Sequence, residues 1–380
     1  MKSKHIYKSI ACGVLLALTA TSCDLDYNPV DSYSDVTEGV DKTDEKPIFN
    51  SVQDVETSMV TLHKKFRDQQ EHWYVDKLLI GDAHSDNAYA GTTGAEVVPY
   101  ETNSIEGSNS VLKRDWDRFL GDIAEANRII VGCEQLKALS DSERGKYQSQ
   151  AKIFRAMVMF DMVRLWGNFP VITTVGGDIT EDNVEEMYPT YFPPQNTAEE
   201  AYAQIEKDLT EAVENPNTPT NDASDKSILT KSVARAMLAK VYAEKPLRDY
   251  SKVIKYADEL AADGFDLVED FSDLWAYDTE KKDCRVRNTK EAILEAHFPP
   301  GSGNWCTWMF GRNLSNWDES FTWAKWITPS RDLIRLYEEQ GDTKRYNESV
   351  VWYECGWSNY YPADHYAFMY KCRSAFNSII

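Results

Sequence analysis

The sequence predicts a mainly α-helical fold, a scaffold of antiparallel helix pairs stacked in the tetratricopeptide manner and decorated by irregular loops. Three observations predict it. Apolar residues recur at i, i+3 and i+4 over long stretches between residues 52 and 262. Glycine or proline closes several of these stretches, at Gly167, Pro170, Pro246 and Gly264. One stretch, residues 156–163 (Ala-Met-Val-Met-Phe-Asp-Met-Val), is apolar nearly all round, as a helix buried among other helices must be. No clean 34-residue self-similarity is present, so the array reading rests on paired helices and not on a repeat.

The N-terminus is a targeting segment. Lys2, Lys4 and Lys8 precede an apolar run over residues 10–20, too short to span a bilayer. Ala20-Thr21-Ser22 then lead into Cys23, a pattern that resembles a bacterial lipobox. Cleavage before Cys23 would leave an acylated cysteine as the mature N-terminus. Residues 1–22 are therefore assigned to the signal, 23–50 to a polar tether and lead-in, and 51–380 to the folded domain.

Removing the three lysines of the signal takes the formal net charge from −21 to −24. Such a body is repelled by phosphates and anionic lipid, which excludes nucleic acid as a partner and makes the lipid the membrane attachment. Asp24 and Asp26 resemble the acidic export signal that sends lipoproteins to the outer leaflet of the outer membrane. Beyond the signal the thiols are Cys133, Cys284, Cys306, Cys355 and Cys372, an odd number. Cys284 with Cys306 and Cys355 with Cys372 are possible pairs. With no C-x-x-C, no zinc or redox site is expected.

The elements follow in order. Val55, Met59, Leu62 and Phe66 predict a helix over residues 52–67. Residues 81–110, with Gly81, Gly91, Gly94 and Gly107, read as a long ordered loop. Leu112, Trp116, Leu120, Ile123, Ala124 and Ile130 predict a helix over residues 111–136. Ser140-Asp141-Ser142-Glu143 caps the next, which runs to Trp166. Helices follow over residues 197–213, 228–243 and 250–262, with a polar linker over 215–225. Residues 292–298 alternate and predict a short strand. Residues 329–339 predict one more helix.

Four segments together resemble the SusD/RagB family of Bacteroidetes outer-membrane lipoproteins. Ala151-Lys152-Ile153-Phe154-Arg155-Ala156 matches its A-x-x-x-R-A helix, and Asp161-Met162-Val163-Arg164-Leu165-Trp166-Gly167-Asn168-Phe169-Pro170 its D-L-V-R-x-[WY]-G-x-x-P turn. Residues 202–212 match Y-x-x-I-x-x-D-L-x-x-A, and residues 230–242 the A-A-x-A-L-L-A-x-V-Y-L segment. Asn288-Thr289-Lys290-Glu291-Ala292-Ile293 is close to N-[ST]-x-E-x-I. With the lipobox, these cover most of the chain in the family's order. The resemblance implies four helix pairs with loops on one side. It also implies a lipid-anchored protein on the cell exterior that caps a SusC-like TonB-dependent transporter and captures an oligosaccharide or polysaccharide. The alternatives are oligopeptide capture for the same kind of transporter, or a scaffolding lipoprotein outside transport. The family's R-L-A-E-x-x-L-x-x-A-E-A helix is not found before Ile380, so the domain is expected to lack its last helices.

Five of the eleven tryptophans, Trp305, Trp308, Trp317, Trp323 and Trp326, fall within 22 residues, alongside Phe310 and Phe321. Sugars present flat C–H faces, for which indole supplies apolar area, a π-face and one rim donor. These five are the leading ligand-binding candidates. Trp73, Tyr74 and Tyr100, flanking the earlier loop, are the secondary ones. The competing reading for each ring is that it packs a loop onto the helices. Asp82, Asp86 and Asn87 lie close enough for a calcium loop, but the spacing is not that of an EF-hand, and a structural turn is expected. Asp161 and Arg164 sit on the buried helix, where a charge needs a partner, and Asp161 is read as part of the scaffold, hydrogen-bonded to a neighbouring loop or paired with an arginine. No carboxylate pair stands out among 62 acids, and G-x-S-x-G, Cys–His and H-E-x-x-H patterns are absent. The chain is read as a binding protein with no enzymatic activity, no cofactor and no metal.

Overall fold

The computed structural model describes residues 47–90, 97–177, 179, 183–274, 277–278, 280, 283–298, 327–353 and 366–369. Cys23 and the tryptophans from Trp305 to Trp326 lie outside the described residues, as does at least one member of each possible cysteine pair. The body begins at Pro47.

The first long helix, α1 (Val52–Asp68), opens on a capping box in which Ser51 and Asp54 satisfy each other's backbone N–H. The chain then makes wide π-type turns at Glu71–Val75 and Leu79–Ala83 on either side of the single turn α2 (Asp76–Leu78). Strand β1 (Ala88–Ala90) and the turn α3 (Val98–Glu101) follow. The long helices α4 (Ser110–Gln135) and α5 (Asp141–Trp166) come next, then the short α6 (Val184–Tyr191). The series continues with α7 (Ala198–Glu214), α8 (Lys231–Ala243) and α9 (Tyr250–Ala262). Beyond them lie the small strands β2 (Tyr277–Asp278), β3 (Asp283–Cys284) and β4 (Ile327–Pro329), helices α10 (Arg331–Gln340) and α11 (Thr343–Ser349), and the pair β5 (Val350–Tyr353) and β6 (Tyr366–Met369). No helix among the described residues is long and apolar enough to cross a membrane.

The predicted helices form, with ends displaced by no more than three residues. The reason is local: α5 and α7 also open on capping boxes, Ser140 with Glu143 and Thr197 with Glu200. At the end of α5, Gly167 takes a positive φ of 71°, a backbone conformation open to glycine and unfavourable for a side chain. Each long helix packs on the next: α1 on α4, α4 on α5, α5 on α7, α7 on α8 and α8 on α9. This is the stacked helix-pair scaffold, and one continuous apolar core runs through it.

A buried ion pair ties three of these helices. Arg155 of α5 grips Asp208 of α7 through two nitrogens at 2.7 and 2.8 Å and donates at 2.6 Å to Asn127 of α4. Asn127 in turn donates to the carbonyls of Ile172 and Thr174. Arg155 and Asp208 belong to two of the sequence motifs above, and their union accounts for both polar positions.

Two expectations are corrected. Residues 292–298 are not a strand but an irregular strap: the Glu295 N–H meets the Lys226 carbonyl, the Glu295 carboxylate accepts from the Asn288 N–H, and Ile293, Leu294 and Ala296 press on the core. The alternation there reflects a segment lying on the scaffold without a strand partner. The 81–110 stretch holds β1 and α3 within its described parts. The end of the predicted lead-in is docked as well, because Phe49 is buried against Gly132 of α4, where any Cβ would meet its ring.

Candidate functional site

The wide-turn stretch from Glu71 to Ala83 organises the polar chemistry of the molecule. π-type winding shifts successive side chains off the α-helical stripe and is concentrated at functional positions. Here it sends consecutive residues to different surroundings. His72 is buried, with Nε2 2.9 Å from Asp122, whose other oxygen accepts from Lys65 at 2.7 Å. Trp73 is buried, its ring 4.7 Å from that of Phe66 and 5.4 Å from that of Phe154, with the Lys77 ammonium 4.6 Å above it. Tyr74 is half-buried and meets Phe298 edge-on at 6.3 Å.

Trp73 and Tyr100 therefore leave the list of ligand platforms. A ring enclosed by Phe66 and Phe154, or one with no exposed surface, as in Tyr100, offers no face to a sugar. Tyr100 sits in a second, smaller core with Val75, Leu79, Val97 and Ile327. Its hydroxyl donates to Asn109 at 3.4 Å, and burial, with the charges of Asp76 and Asp115, pushes its ionisation well above the usual tyrosine range. Tyr74 keeps partial exposure.

That second core holds the exit of the aromatic segment. Immediately after Trp326, β4 pairs antiparallel with β1, Ala90 opposite Ile327 and Ala88 opposite Pro329. Ser330 locks the join, its N–H donating to the Asn87 carbonyl at 2.9 Å and its hydroxyl to the Asp86 carbonyl at 2.5 Å. On the entry side Phe298 lies against Tyr74, and its carbonyl accepts from Arg287 at 3.0 Å. Both flanks of residues 299–326 are thus fixed to the scaffold. In the turn at Asp82, Ser85 donates through N–H and hydroxyl to the Asp82 carbonyl, which gives that loop a structural role. Among the described residues no cluster of three or more His, Cys, Asp or Glu side chains could hold a metal.

Beneath the wide turns lies a buried carboxyl pair. Asp76 accepts from Arg114 at 2.5 Å, while its Oδ1 and both oxygens of Asp115 meet no N–H donor. Burial, then the neighbouring Asp76 charge, raises Asp115 to about 9, so at neutral pH it carries the proton that the two carboxyls share. Alongside is a cleft of about 230 Å³ lined by His72, Lys77, Gly81, Asp115, Asp161 and Arg164 among others. Asp161 pairs with Lys77 at 2.5 Å, a lysine in place of the expected arginine or loop hydrogen bond, and Arg164 pairs with Glu244 at 3.0 Å. Sequence reasoning did not single out His72, Lys77 or Asp115. Two acids among the buried positions of the helix beginning at Ser110, Asp115 and Asp122, were the available signal.

Comparison with known proteins fits this geometry. The SusD-like family model described as "Starch-binding associating with outer membrane" matches residues 31–243. A SusD-like protein of Bacteroides ovatus is 25% identical over 318 residues, 80% of this chain, and the chain spans about half, 51%, of that relative's length. Among solved structures, a laminarin-binding SusD-like protein superposes with a TM-score of 0.66 at 19% identity, covering 86% of this chain and 73% of that one. Surface glycan-binding protein A of Bacteroides thetaiotaomicron, solved with laminarihexaose, gives 0.64 at 15% identity, covering 85% and 70%. At these identities the likeness to the solved structures is one of fold.

Proposed function

This chain belongs to the SusD-like family, described as starch-binding in association with the outer membrane, and from that membership we propose that it captures a glycan at the outer-membrane surface and delivers it to a SusC-like TonB-dependent transporter. Cys23 carries the lipid anchor, and the body faces the cell exterior. The ligand is held by Trp305, Trp308, Trp317, Trp323 and Trp326, with Tyr74 at the base of their segment. Binding, without bond cleavage, is the activity.

The observation that carries this reading is the mounting of the aromatic segment. A loop of indoles gains affinity from rings whose positions are fixed before the ligand arrives. Phe298 on Tyr74 and β4 on β1 supply two fixed ends. The test uses soluble protein beginning after Cys23, titrated with starch, laminarin and oligopeptides by calorimetry and tryptophan fluorescence. Saturable quenching by one polysaccharide is expected, lost in at least one single Trp→Ala variant between Trp305 and Trp326 that keeps its circular dichroism. Unchanged binding in all five variants sinks the site. Heat from peptides alone replaces glycan with peptide, and silence towards every ligand by a folded sample leaves the scaffolding reading.

A further inference from the structure

We propose that the cleft between the second half of α1, the start of α5 and the 292–298 strap binds a small organic anion, a carboxylate or phosphate carried on a flat apolar ring. The inference goes beyond the glycan-binding reading and does not depend on it. The cleft has a volume of about 470 Å³, and the residues just ahead of α8 close its remaining side.

Cations gather there on a body that is acidic as a whole. Lys64, Arg67 and Lys146 line the cleft, and Glu295 is the only carboxylate among its described lining residues. That carboxylate is already engaged: it accepts from the Asn288 N–H at 3.0 Å and lies 3.2 Å from His297 Nε2. Two further acids, Glu56 and Glu143, act on the Tyr147 hydroxyl, whose ionisation is raised first by burial, and neither lines the cleft. Lys64 and Lys146 are exposed and enter no ion pair among the described residues. Arg67 is shared, its Nε donating to Asp68 at 2.8 Å. The net charge of −21 does not cancel this local excess. Exposed charges more than a Debye length away, about 8 Å at physiological salt, are largely screened, so a ligand in the cleft feels the three cations first.

The rest of the wall selects the body of the ligand. Met59, Val60, Tyr147 and Ile228 supply carbon surface among the cations, and Val60 is 52% exposed. The lysine stems add apolar length beneath their ammonium heads. A bare anion leaves such a wall uncovered, and the volume is that of a small-molecule cleft, with room for a ring system. The cleft is also held in shape before any ligand arrives. His63 Nε2 lies 3.1 Å from Gln150 Oε1, which ties α1 to α5 at the cleft wall, and the Glu295 N–H donates at 2.8 Å to the Lys226 carbonyl, which fixes the strap opposite. Lys64 and Arg67 then present their charges from one edge of α1 and Lys146 presents its charge from α5, on either side of the apolar surface.

The test titrates soluble protein beginning after Cys23 with naphthoate, inorganic phosphate and the neutral naphthylmethanol by calorimetry. The wild type is compared with Lys64→Gln/Lys146→Gln in the cleft, and with Lys137→Gln/Lys245→Gln, which removes the same charge from exposed lysines that do not line it. All four side chains are exposed, so the thermal midpoints are expected to stay at the wild-type value. Naphthoate is expected to bind saturably, more weakly as salt rises, about fivefold more weakly in the cleft variant and unchanged in the control. Equal affinity in the two variants, or no binding by the wild type, overturns the site. Naphthylmethanol binding as tightly as naphthoate overturns the anionic head, and phosphate doing so overturns the apolar body. Starch heat is expected to be the same in the cleft variant as in the wild type, and its loss there overturns the independence of the two sites. A wild type that binds naphthoate and no polysaccharide sinks the glycan-binding reading and leaves the cleft standing.

Discussion

Asp76 and Asp115 lie within hydrogen-bonding reach of each other in the core, under Arg114 and Arg118, with Glu71 and the Tyr100 hydroxyl nearby. Asp115 is 1% exposed. Its folded pKa of about 9 stands above the 3.8 of an ordinary aspartate, so between those values the folded state holds a proton that the unfolded chain has released. The stability this group contributes is complete below about pH 4 and falls as pH rises towards 9. Asp115→Asn keeps a donor for Asp76 and removes the titration. Denaturant unfolding of both proteins from pH 5 to pH 9 is expected to show the variant gaining on the wild type throughout that range; parallel curves would mean that Asp115 is ionised in the fold. At this scale the sequence is least legible. Trp73 and Tyr100 look like loop aromatics until their neighbours are known, and no local pattern separates a ring that packs from a ring that binds. Tyr74, one residue from Trp73, is half-buried and meets Phe298 instead of Phe66 and Phe154.

The long helices were legible because their signals are local: an apolar stripe, a capping residue and a glycine or proline stop. The Glu71–Ala83 stretch was not, since its turns are wider than the 3.6-residue period by which helices are recognised. Nor was α6, which carries Pro189 inside it and buries no residue, leaving no stripe to detect. Between elements, the Arg155–Asp208–Asn127 network fixes how α4, α5 and α7 pack. Removing the arginine leaves Asp208 charged in a dry interior. Arg155→Ala is expected to destabilise the fold by about 3–5 kcal/mol, whereas Arg155→Met with Asp208→Leu recovers most of that loss. Urea midpoints of the two variants distinguish this from a network that only fills space, for which the double variant would be the weaker.

For the whole molecule, the acidic body and the proposed anchor at Cys23 would divide the labour. Net negative charge disfavours contact with anionic membrane, so under the proposed function attachment falls to the lipid. Cys23→Ala is expected to abolish labelling by radioactive palmitate and to release the protein from the membrane fraction; label retained by the variant would place the acyl chain elsewhere. Fold class and family resemblance were readable at this scale because they rest on several helices at once. The mounting of the aromatic segment was not, because its halves are remote: the Ser330 hydroxyl and the Asp86 carbonyl that it meets are 244 residues apart. That separation sets an order of events in folding. The helices α4 to α9 close contacts with near neighbours in sequence and can assemble early, while β4 can find β1 only after every helix from α4 to α9 has been made. A chain that stops short of β4 is then a helical scaffold without the β1–β4 join, and under the proposed function a ligand segment ahead of β4 would gain its downstream mooring only after the scaffold is in place.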